Sequence, residues 1–355
     1  MSAETISADS SLRNFEDLPD RVRDVEQLEE LLSRPGRPAV DLMRRLDGDL
    51  MILGASGKIG PTLMRMALRA VQEAGTKTRV FAADCVCLKD LAAAGAQTVP
   101  CDLLDPRAAA RLPKVANVIY MVGRKFGSSG QESLTWAINV LAAARAAEAL
   151  GQGRVAAFST GCVYPLMTPD SGGATEQTPP APVGEYAMSC LGRERMFDHF
   201  SHAAGLRVLH FRLNYAVELR YGVLVDVARK VWTGQPIDLT TGYANVLWQG
   251  DVCNQALLGL ELAACPPRVL NVTGPQILHI RDLARQFGRL MGREPVLAGT
   301  ENNLAYLSNA ARAQELFGPP RVDTDRLIRW TADWIAGGRT TLDKPTHYET
   351  QNGTY

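Results

Sequence analysis

Residues 49–75 read DLMILGASGKIGPTLMRMALRAVQEAG. The apolar run Leu50–Leu53 has the length and composition of a buried strand, and the residues after the glycines carry apolar side chains at helical spacing. Between them stand Gly54, Gly57 and Gly60. Glycines at a strand-to-helix turn let the backbone turn tightly and approach a pyrophosphate beside a helix N-terminus. This places Gly54, Ser56, Gly57, Lys58, Ile59 and Gly60 in a cofactor-binding set.

The same alternation continues outward. TKTRVFAAD (76–84) reads as the second strand, AQTVPCD (96–102) and VANVIYMVG (115–123) as the third and fourth, and RVAAFST (154–160) and LRVLHFRLN (206–214) as two more. Helical patterns occupy 134–150 and 184–205. Strands alternating with helices predict an α/β fold, a Rossmann-like doubly wound parallel sheet over 49–215. After Asn214 the elements shorten, which suggests a smaller C-terminal α/β lobe over 216–340, mainly substrate-binding, and then a polar tail, 341–355. Residues 1–48 form an extension with one amphipathic helix carrying Val22, Val25, Leu28 and Leu32, docked on the body or used in a homodimer. The Pro- and Gly-rich stretch 164–184 has the composition of a lid or binding loop.

Asp84 ends the second strand, where a carboxylate accepts hydrogen bonds from the adenosine ribose and repels a 2′-phosphate, which favours NAD over NADP. Helix capping is the other reading of Asp84. Asp102 and Leu103 follow the third strand in a position suited to an adenine contact, capping again being the alternative for the aspartate. Val122 and Gly123 end the fourth strand at the same sheet edge.

Composition excludes several function classes. Lys plus Arg and Asp plus Glu are 38 each over 355 residues, so no global field favours nucleic acid or an anionic membrane. No apolar run approaches the roughly 20 residues of a membrane span, and the N-terminus lacks a secretory pattern. The expectation is a cytoplasmic protein. Seven scattered cysteines fit reduced thiols, and no spacing predicts a metal site.

GASGKIG, VIYMVG, Asn139 in WAINV, FSTGCVY, EYAMSCLGRE, FRLNYA and LNVTGP, in that order, resemble the extended short-chain dehydrogenase/reductases of the NAD-dependent epimerase/dehydratase group. The resemblance spans about residues 49–338. It implies NAD as cofactor, Asn139 among its contacts, Thr160 with Ser159 beside it as the hydroxyl that holds the substrate oxygen, and Tyr186 as the proton-transferring residue. It also implies a lysine four residues after the tyrosine, where this chain has Cys190. That lysine bonds the nicotinamide ribose and lowers the phenol's pKa, and a neutral thiol does neither well. Moving a tyrosine from about 10 to near 7 takes roughly 4 kcal/mol of differential stabilisation. A replacement cation is therefore expected, and Lys125, after the fourth strand, is the candidate. Arg193, two helical turns beyond Tyr186, is expected to pair with Glu194 or another nearby carboxylate.

Nucleotide-sugar relatives carry diphosphate-binding arginines in the C-terminal lobe. This chain has GYANVLWQGDVC (242–253) and LAYLSNAARA (304–313) at the corresponding places, without the expected arginines. Dehydratase relatives have Asp-Glu after the catalytic threonine, and here Gly161 and Cys162 follow Thr160. Asn214, Tyr215, Glu218, Arg220, Tyr221, Trp248 and Gln249 remain to line a substrate pocket suited to a small carbohydrate-like molecule. The expected function is an NAD-dependent oxidoreductase or epimerase, the alternative a dinucleotide-binding sensor or scaffold without turnover.

Overall fold

The computed structural model describes residues 18–353. Its centre is a seven-stranded sheet containing β1 (Leu50–Leu53), β2 (Val80–Asp84), β3 (Gln97–Pro100), β4 (Asn117–Tyr120), β5 (Arg154–Thr160), β6 (Arg207–Leu213) and the strand Arg268–Val272. From edge to edge the order is Arg268–Val272, β6, β5, β4, β1, β2, β3, and every pairing is parallel. The expected doubly wound fold is present. Strand order reverses between β1 and β4, and such a reversal opens a crevice beyond the carboxyl ends of the strands. β1 and β4 are buried along their whole length because helices cover both faces, which is why they read as unbroken apolar runs.

The division at residue 215 is less clean than the sequence suggested. Arg268–Val272 returns to pair with β6, and the helix Gln249–Leu258 packs on the glycine-turn helix Gly60–Ala74, so both belong to the sheet domain. The remaining C-terminal elements gather round a second core. Trp248, Phe287, Trp330 and Trp334 are buried there, beneath the helices Val223–Thr233, Ile280–Met291 and Thr324–Ala336.

Three further features depart from the sequence reading. The extension holds two helices, Val25–Leu32 and Arg37–Arg45, because Pro38, read as a stop, sits in the first turn of the second one. Both dock on the body: Glu29 of the first pairs with Arg65 at 2.8 Å, and Arg45 of the second pairs with Glu261 at 2.7 Å. The stretch 164–184 lines neither of the two cavities at the crevice. Its Met167 and Ala174 form bridges with Ala305 and Ser308, which fasten it to the C-terminal lobe.

The tail is no loose appendage either. Thr346 and Tyr348 are buried, Thr346 donates to Asp226 at 2.6 Å, and Lys230 pairs with Glu349 at 2.7 Å. Residues 341–353 are a strap across the C-terminal lobe.

Candidate active site

Two cavities share Gly54, Gly57, Met121, Gly123 and Lys125 and so form one groove over the switch point. The larger, about 570 Å³, runs over β2 and β3 and is lined by Ser56, Asp84, Asp102, Leu103 and Val122, among others. Glycine is required at its floor. Gly54 has φ +84°, and a Cβ there would lie 2.8 Å from the Val122 nitrogen; one at Gly60 would lie 2.3 Å from the Ala55 oxygen. A dinucleotide fits this cradle, because Gly57 leaves the groove side open while its neighbours hold the turn tight.

Asp84 lines the groove with one oxygen, Oδ2, accepting from the Ser56 amide at 2.8 Å, so it also fastens the glycine turn. Asp102 accepts from the Leu104 amide at 2.8 Å, the capping type of role, while still bordering the cavity. Ile59 and Lys58 line the second cavity and not the first. Gly60 is buried under the turn.

Asn139 differs from the expectation. It is fully buried in a π-helical turn, Ala137–Leu141, accepts from the Arg124 amide at 2.7 Å and donates to the Arg124 carbonyl and to Ser189 Oγ. Its amide braces the loop after β4 instead of reaching the groove. The π turn is the device that swings it there, and such turns often mark functional sites.

The second cavity, about 300 Å³, lies over β5 and β6 and joins Thr160, Tyr186, Lys125, Asn214 and Tyr215. β5 ends at Thr160, and the helix Gly184–Ala204 brings Tyr186 into the same cavity, where the Thr160 hydroxyl acts on the phenol. Burial raises the Tyr186 phenol well above its ordinary value, and the neighbouring Cys190 and Cys162 add to that; the Arg193 charge and the Thr160 hydrogen bond oppose it. Lys125 Nζ lies 5.8 Å from the Tyr186 ring centroid, and burial pushes its ammonium below the usual lysine range. A basic nitrogen therefore does stand beside the phenol.

Arg193 is the second. It does not pair with Glu194. Its guanidinium donates to the Val122 carbonyl and to Cys190 Sγ, each at 2.8 Å, and among the described residues no carboxylate lies within ion-pair distance of it. Glu194 instead holds Arg212 at 2.6 Å and accepts from Ser159 Oγ at 2.5 Å. Ser159, expected beside the chemistry, is thus tied to a buried ion pair.

Of the substrate residues, Asn214 and Tyr215 line the cavity. Asn214 is held by bonds from its amide nitrogen to Asn245 Oδ1 and the Tyr306 carbonyl. Tyr215 adopts φ +47°, a strained conformation for a tyrosine, of the kind that surrounding structure maintains at functional sites. Arg220 and Trp248 are elsewhere. Arg220 bridges Glu218 and Glu29 at 3.0 and 2.7 Å, and Trp248 packs edge-on against Trp330 in the second core. Tyr221 lines the cavity as expected, while sequence reasoning passed over Cys162 and Thr346 as cavity residues; Thr346 comes from the strap, and no local signal points to it.

A glycine-cradled groove at the switch point, with a threonine and a tyrosine joined at its inner end, defines a dinucleotide-dependent short-chain dehydrogenase/reductase. The profile of the NAD dependent epimerase/dehydratase family matches residues 50–239, and the chain belongs to that family. No curated protein sequence matches the chain. Solved structures do. UDP-glucose 4-epimerase of Thermus thermophilus, in complex with NAD, is 19% identical at a TM-score of 0.64 over 81% of this chain and 99% of that one. DesIV, a dTDP-glucose 4,6-dehydratase from Streptomyces venezuelae with NAD and TYD bound, is 20% identical at 0.66 over 81% and 97%. MoeE5 in complex with UDP-glucuronic acid and NAD is 22% identical at 0.66 over 82% and 100%. At these identities the likeness establishes the fold. The family's cofactor is NAD, in agreement with the reading of Asp84, and among the described residues no helix is long and apolar enough to cross a membrane.

Proposed function

We propose that this protein is an NAD-dependent oxidoreductase or epimerase acting on a hydroxyl of a small sugar-like molecule that is not a nucleotide-diphosphate sugar. The observation that carries the reading is that Thr160 and Tyr186 line one cavity that opens on the glycine turn. The turn amides and the N-terminus of Gly60–Ala74 would hold the pyrophosphate, with Asp84 at the adenosine ribose. NAD, when bound, supplies the hydride acceptor. Thr160 holds the substrate oxygen and Tyr186 takes its proton. Arg193, whose charge lowers the phenol, and Lys125, 5.8 Å from its ring centroid, would supply the positive charge that the absent lysine gives elsewhere, and without them the raised phenol would be a poor proton carrier at neutral pH.

The strap supports a small substrate. Glu349 accepts from Thr241 Oγ at 3.0 Å and Gln351 donates to the Leu304 carbonyl at 2.7 Å, so the strap ties down the starts of the two segments that lack the diphosphate arginines. Thr346 closes the cavity on that side. Burying a diphosphate without matched donors is costly, and here the strap stands in the way as well.

The test is mass spectrometry of the gently purified protein for bound dinucleotide, then absorbance at 340 nm with NAD and a panel of free sugars and sugar acids, with Tyr186→Phe as control. Growth of the band in wild type and its loss in the variant are expected. Bound NAD with neither a change at 340 nm nor an epimerised product by chromatography across the panel would favour a sensor instead.

A further inference from the structure

Lys58 lies inside the glycine turn, yet its side chain leaves the dinucleotide groove for the substrate cavity. Its Nζ donates to Gln249 Oε1 at 2.7 Å, lies 4.2 Å from the Tyr221 ring centroid and stands 3.7 Å from Glu218 Oε1. Glu218 is buried and already engaged: the Arg220 backbone amide and Nε both donate to it at 3.0 Å. Arg220 in turn shares Glu29 with Arg65. In this cluster three cations face two carboxylates. Lys125 adds another ammonium to the same cavity, and no carboxylate is among the described residues that line it.

A cavity whose own lining carries two ammonium groups and no carboxylate, with the Glu218 behind Lys58 shared with Arg220, favours an anion. Burial holds the Lys58 amine at about 8, so it is largely charged at neutral pH and loses its proton as pH rises through that value. Its immediate partner, Gln249, already spends one of its two amide N–H donors on Thr62 Oγ1 at 2.8 Å. One ammonium with few further donors suits a monoanion better than a phosphate, which calls for several.

We propose that the substrate carries a carboxylate, held by Lys58 beside Tyr221, with its reacting hydroxyl at Thr160 and Tyr186; the substrate class is a sugar acid of about the size of a hexose. The inference rests on the oxidoreductase reading of the Tyr186 site and names its substrate class. The other anion within reach of the turn is the dinucleotide pyrophosphate, and the test separates the two.

The full chain with saturating NAD is titrated with gluconate, galactonate, glucuronate and galacturonate and with glucose and galactose. Binding is followed by calorimetry, turnover at 340 nm, and NAD affinity separately, in wild type, Lys58→Gln and Lys58→Arg. At least one acid should bind wild type 10-fold or more tighter than the neutral sugars. That preference should shrink to within about 3-fold in Lys58→Gln, be largely kept in Lys58→Arg, and fade in wild type above about pH 8, while NAD affinity changes less than 3-fold. Loss of NAD affinity in Lys58→Gln with the acid preference intact would assign the amine to the pyrophosphate and overturn the proposal. So would a preference for neutral sugars, or no binding of any acid. Turnover of neutral sugars alone would overturn only the carboxylate, whereas acid binding with neither a change at 340 nm nor an epimerised acid by chromatography would overturn the oxidoreductase or epimerase reading and leave the carboxylate site standing.

Discussion

The Arg193 guanidinium donates to Cys190 Sγ at 2.8 Å, one helical turn back along the helix that carries Tyr186. The thiol at the family's lysine position therefore has a fixed cation attached to it. Restoring the lysine alone should be harmful: Cys190→Lys would bring an ammonium against a buried guanidinium that has no carboxylate within reach among the described residues. We expect Cys190→Lys to lose stability by a few kcal/mol, and Cys190→Lys with Arg193→Met to regain most of it, since like charges in a desolvated site repel strongly. Denaturant midpoints of the three proteins check this, and equal stability of the single and double variants would refute it.

Tyr186→Phe and Lys125→Met should each lower turnover about 100- to 10,000-fold, within the range for general acid-base groups, with NAD affinity little altered. On the proposed role of Lys125, its loss should also raise the phenol's pKa and so move the acid limb of the pH–rate profile for hydroxyl oxidation to higher pH. An unchanged rate in Lys125→Met would leave Arg193 to supply the charge for the reaction.

Glu194 and Arg212 form a buried pair in which burial raises the carboxyl's pKa, while the Arg212 hydrogen bond, the His210 charge and Ser159 together outweigh that and leave it below the usual range. A lowered folded pKa contributes stability that is present above the unfolded value, about 4.3, and is lost as pH falls through the folded one. Glu194→Gln should cost about 3–5 kcal/mol at pH 7 and flatten the acid limb of the stability curve. Unfolding followed by fluorescence between pH 3 and 7 measures both.

Deleting residues 343–355 should expose Cys162, which lies in the cavity wall and is buried in the intact protein. Iodoacetamide should then modify it at least about 10-fold faster, since alkylation of a buried thiol is limited by access. Peptide mapping identifies the site; an unaltered rate would mean that the strap does not close the cavity.

Gly60→Ala should abolish NAD binding or folding, as the added methyl would sit 2.3 Å from the Ala55 carbonyl oxygen, backbone that has nowhere to move. Soluble expression and dinucleotide titration read the outcome.

What the sequence made legible was local. The middle of the sheet could be read because strands such as β1 and β4 are buried on both faces, and the glycine turn because a tight approach admits no other residue. Thr160 and Tyr186 could be placed by motif, and the structure joins them. The misreadings concern residues whose partners are remote in sequence. Arg193 bonds a carbonyl 71 positions away, Arg220 answers to Glu29 in the extension, and Trp248 meets Trp330 in the second core. The strap reads as a polar tail because only Tyr348 carries a large apolar side chain into the lobe, and its other anchors are hydrogen bonds that composition does not reveal.

Glu29 is the counter-ion shared by Arg65 and Arg220, and Arg220 shares Glu218 with the cavity's own lysine. The first helix is thereby wired into the electrical balance of a wall it never touches. A shortened protein starting at β1 would keep both guanidiniums and lose their common anion, so trimming a segment that looks dispensable would change how strongly the distant pocket pulls on charged molecules.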